Sequence, residues 1–220
     1  MNKISVKNTL IYLLGLSLLG LTVTLIQKTN LGMSSWDALN RNFYEGVPIE
    51  YKYLTPIFAL VLITLAYLIE GKRVDWLFLF PLAVSFYIGF MIDVLLLVIP
   101  SVASLNIWFN LSYLLLSLTV CAIGLNLIIY CRYPLPALDA FCQALAKRLK
   151  ISFGKGKLVG EIIALALTVI AGLGFKHQAQ WFYIGPTTII FTLAIGVFVD
   201  LFKRPITFIL EGQRGYRDLR

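Results

Sequence analysis

The chain contains six aspartates, and four of them sit in two matched settings about half a chain apart. Asp37 lies in Leu31-Gly-Met-Ser-Ser-Trp-Asp-Ala-Leu39, and Asp139 in Leu135-Pro-Ala-Leu-Asp-Ala-Phe141. Further on, Ile88-Gly89-x-x-x-Asp93 recurs as Ile195-Gly196-x-x-x-Asp200. Carboxylates set among apolar residues suit one chemistry above others. They hold a cation, a proton or an amine, and Trp36 would give Asp37 an aromatic neighbour for a positive charge. Glu161, inside another apolar run, is a further carboxylate of this kind.

Each of these residues also has a structural reason to be where it is. Ser34-x-x-Asp37 resembles a capping box, and an acid in a first helical turn is favoured by the helix dipole. Asp139 has no serine ahead of it, but Pro136 suits the first helical position and the acid still complements the helix start. Trp36 is an ordinary interfacial anchor. Asp93 is followed by six apolar residues before Pro100. An ionisable group within such a run is expected to face a cavity or a partner. Asp200 has Lys203 and Arg204 nearby as pairing partners. Glu161 falls four residues after Lys157, which predicts a salt bridge at the edge of its run. Gly32, Gly89 and Gly196 are candidate positions for close helix packing or gating. His177, the single histidine, reads as a loop residue.

The elements that carry these groups follow from composition. Of 220 residues, 59% are hydrophobic and 14% charged, with a mean hydropathy of +0.84. Soluble domains carry roughly a quarter charged residues, so lipid is the expected solvent. Six apolar runs are long enough to span a bilayer or nearly so: Leu10–Ile26, Leu54–Ile69, Trp76–Ile99, Ile107–Tyr130, Leu158–Phe175 and Trp181–Phe202. They are continuous rather than alternating, which predicts helices. The first lacks a small-x-small cleavage site and is expected to be retained. Of the 19 Lys and Arg, 15 fall on the side shared by the two termini, so both termini are expected in the cytoplasm. The same distribution explains the net charge of +8 without a nucleic-acid partner.

Aligned on the Asp-Ala pairs, Trp36, Leu39, Phe43 and Val47 match Leu138, Phe141, Leu145 and Leu149. That spacing is one face of a helix. Segments 33–46 and 136–149 are therefore predicted short helices, amphipathic on the membrane surface or re-entrant. Each half reads as a span, a short helix carrying aspartate, and two more spans. Three spans per unit force the second to insert upside down. The expected fold is all-α, with an inverted repeat of 1–104 and 105–205 and a basic tail of 206–220.

Leu31-Gly32-Met33-Ser34-Ser35-Trp36-Asp37-Ala38-Leu39, following a first span with Gly20 and Gln27, resembles the signature of the YczE/YyaS/YitT family of bacterial membrane proteins. That family typically shows Leu-Gly-x-Ser-Pro-Trp-Asp-x-Leu, and Ser35 stands here in place of the proline. The resemblance implies a bacterial plasma-membrane protein and supplies no substrate.

No nucleophile elbow, zinc-protease motif or phosphate loop is present, and Cys121, Cys131 and Cys142 lack metal spacing. The expectation is a non-enzyme without cofactor or metal. The function expected first is a small secondary transporter for a cationic, zwitterionic or proton-coupled solute, with Asp37 and Asp93 at one mouth and Asp139 and Asp200 at the other. The alternative is a non-catalytic membrane component, such as a substrate-capture subunit or an accessory factor for export or biosynthesis. Partners are then the bilayer, the solute and, in an assembly, further copies of the chain.

Overall fold

A computed structural model describes residues 6–47, 51–74, 78–175 and 183–211, without the side chains of 51–53 and 211. Trp76, Trp181 and His177 lie outside the described residues, as does the tail from 212 onward.

All regular structure among the described residues is helical. The helices are α1 (Val6–Gln27), α2 (Ser35–Gly46), α3 (Tyr51–Glu70), α4 (Phe80–Val98), α5 (Ile107–Cys131), α6 (Ala137–Leu149), α7 (Phe153–Gly174) and α8 (Pro186–Glu211). Their starts are chemically marked. Asn106 accepts hydrogen bonds from the amides of Trp108 and Phe109 to open α5, and Ser152 accepts from Lys155 to open α7. Both free those amides from an uncompensated end. Proline opens α8, where its missing N–H is not needed. Arg132 and Lys150 take left-handed conformations, each with φ 56°, and so end α5 and α6. The described parts of the six predicted apolar runs lie mainly on helices. Pro136 is the residue before α6 rather than its first turn.

Helices α1, α4, α5 and α7 are long and apolar enough to cross a membrane. Apolar side chains cover their outer faces: Phe86, Phe90 and Leu97 on α4 and Ile170 and Leu173 on α7 are all exposed. A water-soluble fold would bury such surface, so the protein is membrane-embedded. The apolar stretch of α3, Leu54–Glu70, is shorter.

At the middle of the bundle α1 crosses α5. The crossing is close because Gly15 and Gly124 face each other; a Cβ on either would lie 2.9 Å from the other's carbonyl oxygen. Around that pair, α4 lies on α1 and α8 on α5, while α2 packs on α7 and α6 on both α3 and α7. Exchanging α1–α4 with α5–α8 turns the set of packed pairs into itself. One core lies between α1, α5 and α8, built on Leu16, Leu125, Ile128 and Ile195. A second lies between α2, α3, α6 and α7, built on Trp36, Ile63, Phe141 and Ala164.

The two halves are not packed equally. Gly196 of α8 lies against Gly154 of α7, backbone to backbone. Its sequence counterpart, Gly89 of α4, has open space where a Cβ would stand. Among the residues of α4, Pro81 and Val84 are buried and most of the helix is turned outward.

Candidate functional site

The short helices begin inside the bundle. The chain leaving α1 runs down the start of α8: Thr187 donates its amide to the Leu31 carbonyl (2.9 Å), and the Thr188 hydroxyl donates to the Met33 carbonyl (2.6 Å). Gly32 is required in that passage. Its φ is +96°, and a Cβ would stand 2.7 Å from the Gly185 Cα. Ser35, the first residue of α2, reaches the hydroxyl of Thr192 (2.6 Å), and Thr168 of α7 donates to the Ser35 carbonyl (2.9 Å). Thr192 is six residues into α8, about 9 Å along its axis. From that depth α2 returns to the end it came from, where Gly46 meets Phe175 and Glu45 accepts a hydrogen bond from Tyr183.

Helix α6 does the same from the opposite end. Its last turns pack on the start of α7, with Ala146 against Gly156 and Cys142 against Gly160. Its first turn therefore lies deeper, and the Phe141 ring meets the Trp36 ring edge-on at 6.3 Å. Two helix starts thus converge on the middle of the bundle. Each carries an aspartate at its third residue, Asp37 on α2 and Asp139 on α6.

The groups gathered there are charged. Lys157 of α7 donates to Asp139 Oδ1 at 2.7 Å and lies 3.5 Å from Glu161 Oε1, one turn further along α7. Asp139 and Lys157 are each 4% exposed and Glu161 is 1% exposed. Asp37 is in electrostatic range of both Lys157 and Glu161. Two buried polar atoms at this meeting of α2, α6 and α7 make no hydrogen bond: Trp36 Nε1, a donor, and Glu161 Oε2, an acceptor. Each is costly to leave unmatched in an apolar interior.

The expected capping of Asp37 is present. Ser34 Oγ accepts from the Asp37 amide (3.3 Å) and donates to Asp37 Oδ2 (2.7 Å). The Lys157–Glu161 pair is present too, but it lies in the interior rather than at the edge of its span, and Asp139 shares the lysine. Asp200 pairs differently from expectation. It accepts from the Ser152 hydroxyl (2.5 Å) and the Gly154 amide (3.1 Å) and so caps α7, where no charged neighbour is needed. Asp93 is exposed on the outer face of α4 with Phe86, Phe90 and Leu97. Sequence reasoning named Lys157 only as a partner of Glu161. The signal for more was a lysine four residues before a glutamate at the start of an apolar helix.

A cleft of about 850 Å³ opens between the end of α1, the start of α2 and the start of α8. Gln27, Asn30, Met33, Asp37, Arg41 and Tyr183 line it. Arg41 pairs with Glu45 (Nε to Oε1 3.1 Å), and its guanidinium lies over the rings of Tyr44 and Tyr183. At the opposite end of the bundle a smaller hollow of about 320 Å³ lies beside Glu70, Lys147 and Arg148. Glu70 bridges Lys147 (2.8 Å) and Lys72 (2.5 Å) there. Burial alone would raise the Glu70 carboxyl, but the two ammonium groups outweigh it and hold the carboxyl below its ordinary range.

No group of three or more His, Cys, Asp and Glu placed to hold a metal occurs among the described residues, and the three cysteines are free and buried. The arrangement joins a partly buried acid that lines the cleft, Asp37, to a buried ion cluster at the seam of two halves. Residues 6–204 match the family of unknown function DUF6198. The chain belongs to that family. No curated protein and no solved structure matches it. The DUF6198 match spans the cleft and every charged residue of the buried cluster. The family description names no activity.

Proposed function

We propose that the protein is a small secondary transporter that moves a cationic or zwitterionic solute by alternating access, coupled to a proton. In this reading α1, α3, α4, α5, α7 and α8 are six spans in two inverted three-span repeats. Helices α2 and α6 are re-entrant, and both termini are cytoplasmic. The likeness of Leu31–Leu39 to the YczE/YyaS/YitT signature adds a bacterial plasma membrane to the proposal.

One observation carries it. Two short helices enter from opposite ends and start at the same buried ion cluster. Discontinuous helices that start at mid-bundle are how inverted-repeat transporters build a site between their halves. The cleft reaches Asp37 from one end, while at the other end Glu70, Lys147 and Lys72 form an ionic closure. The unequal packing of Gly89 and Gly196 supports the same reading, because in such a transporter the two repeats hold different conformations in any one state.

The test uses cysteine accessibility in sealed vesicles, with Cys121, Cys131 and Cys142 replaced. A cysteine at Met33, in the cleft, should react with an impermeant maleimide from one side of the membrane only. A cysteine at Ala144, in the opposite hollow, should react only from the other. Adding a transported amine or amino acid should change the two rates in opposite directions. Labelling that no solute in such a panel alters would leave a static membrane component and defeat the transport reading.

A further inference from the structure

Three carboxyl groups, Asp37, Asp139 and Glu161, share the middle of the bundle with one ammonium group, Lys157. Two of the three have a donor of their own. Asp139 takes the short bond to Lys157 at 2.7 Å and stands in the first turn of α6. Asp37 takes the Ser34 hydroxyl, stands in the first turn of α2 and faces the cleft. Glu161 has neither a helix start nor solvent. Its Oε1 is 3.5 Å from an ammonium already committed to Asp139, its Oε2 makes no hydrogen bond, and the side chain is 1% exposed. An ionised carboxylate left in that condition in an apolar interior is expensive by several kcal/mol, and binding a proton removes the charge.

We propose that Glu161 is the proton-binding residue of this protein. The proposal rests on the transport reading for its physiological use, but the protonation itself can be tested without any solute. With Glu161 neutral, Lys157 and Asp139 form a matched pair. When the proton leaves, the ammonium is drawn between Asp139 on α6 and Glu161, which stands one turn beyond Lys157 on α7. That movement pulls on the first turn of α6 and thus on the Phe141–Trp36 contact between the two short helices. Asp37 links Glu161 to water, since it lines the cleft and is within electrostatic range of Glu161.

Other occupants fit less well. A metal ion needs several oxygen ligands, and none of the described clusters supplies three acidic, histidine or cysteine ligands. An organic cation needs room, and neither the cleft nor the opposite hollow is lined by Glu161. A proton needs neither. The titratable and charged groups that face Glu161 are Lys157 on its own helix, Asp37 on α2, Asp139 and Cys142 on α6, and Cys121 on α5. From α8, Thr192 bonds Ser35 of α2, and Asp200 is engaged at the α7 start.

Infrared spectroscopy of the purified full chain in detergent at neutral pH, in water and in D2O, decides the matter. The expected result is the carbonyl band of a protonated carboxylic acid that shifts in D2O. The band should be lost in Glu161→Gln and kept in Asp37→Asn and Asp139→Asn. Should Glu161→Gln not fold, Glu161→Asp keeps an acid there, and the band must then change frequency. A wild type without the band, a band that survives Glu161→Gln, or one unmoved in Glu161→Asp would overturn the proposal. A band that behaves as expected in a protein with invariant Met33 and Ala144 labelling would uphold the proton site and reject transport.

Discussion

At the scale of single residues, the interior depends on Lys157 more than on any one acid. The lysine is buried and is the only cation described in contact with Asp139 and Glu161. Replacing it by methionine leaves buried carboxyls without a partner, which costs about 3–5 kcal/mol where a buried pair is broken from one side. We expect Lys157→Met to lower the unfolding temperature in detergent sharply. The triple variant Lys157→Met, Glu161→Gln, Asp139→Asn should recover most of that loss, because the two acids in contact with Lys157 lose their charge along with it. A triple variant as unstable as the single one would show that shape rather than charge is what Lys157 supplies. Ser34 is a smaller case. Its hydroxyl caps α2 and steadies Asp37, so Ser34→Ala should cost about 1 kcal/mol, read by the same melting measurement.

At the scale of elements, the repeated Ile-Gly-x-x-x-Asp motif serves two different packings. In α8, Gly196 lets α7 come into backbone contact at Gly154, and Asp200 caps the same end of α7. In α4, Gly89 faces open space and Asp93 is exposed. Gly196→Leu should therefore force the two helices apart at a cost of about 1–3 kcal/mol, the range for overfilled contacts. Gly89→Leu should stay within about 0.5 kcal/mol of wild type, as surface changes do. Equal losses from both would mean that α4 spends most of its time closed on its neighbour. The aspartates divide in the same way. The pair on the short helices converges, whereas the pair on the long helices lies apart from the cluster.

At the scale of the whole molecule, the end of the bundle opposite the cleft is held by charge. Glu70, at the end of α3, joins Lys147 of α6 and Lys72 across the loop after α3. Its carboxyl is held below the ordinary range against the pull of burial. A carboxyl lowered on folding stabilises the fold fully above its unfolded pKa and loses that contribution as the pH falls through its folded value. Acidification below the ordinary glutamate range should thus loosen this closure, and the Ala144 cysteine should label faster there. In Glu70→Gln the labelling should be fast at neutral pH and should lack this acid-dependent rise. A wild type whose labelling rate ignores acid would remove Glu70 as the closure.

The sequence by itself determined the helices and most of their limits. An apolar run long enough to span needs an internally satisfied backbone, and the ends read at Ile26, Ile69, Ile99, Tyr130 and Phe175 fall within a residue of those observed. It also determined that Asp37 begins a short helix, since Ser34 and the spacing of Trp36, Leu39 and Phe43 are local features. What it did not determine is direction. In a helix that is apolar all round, periodicity designates no face, so nothing local said that Asp93 turns outward and Glu161 inward. Nor does a short amphipathic helix declare whether its apolar face meets lipid or other helices. That choice was made by Gly32, Gly156 and Gly160, whose missing side chains leave room for a neighbour. Only the tertiary structure could bring Asp37 and Asp139 within range of one buried lysine, because their meeting depends on two chain segments entering from opposite ends.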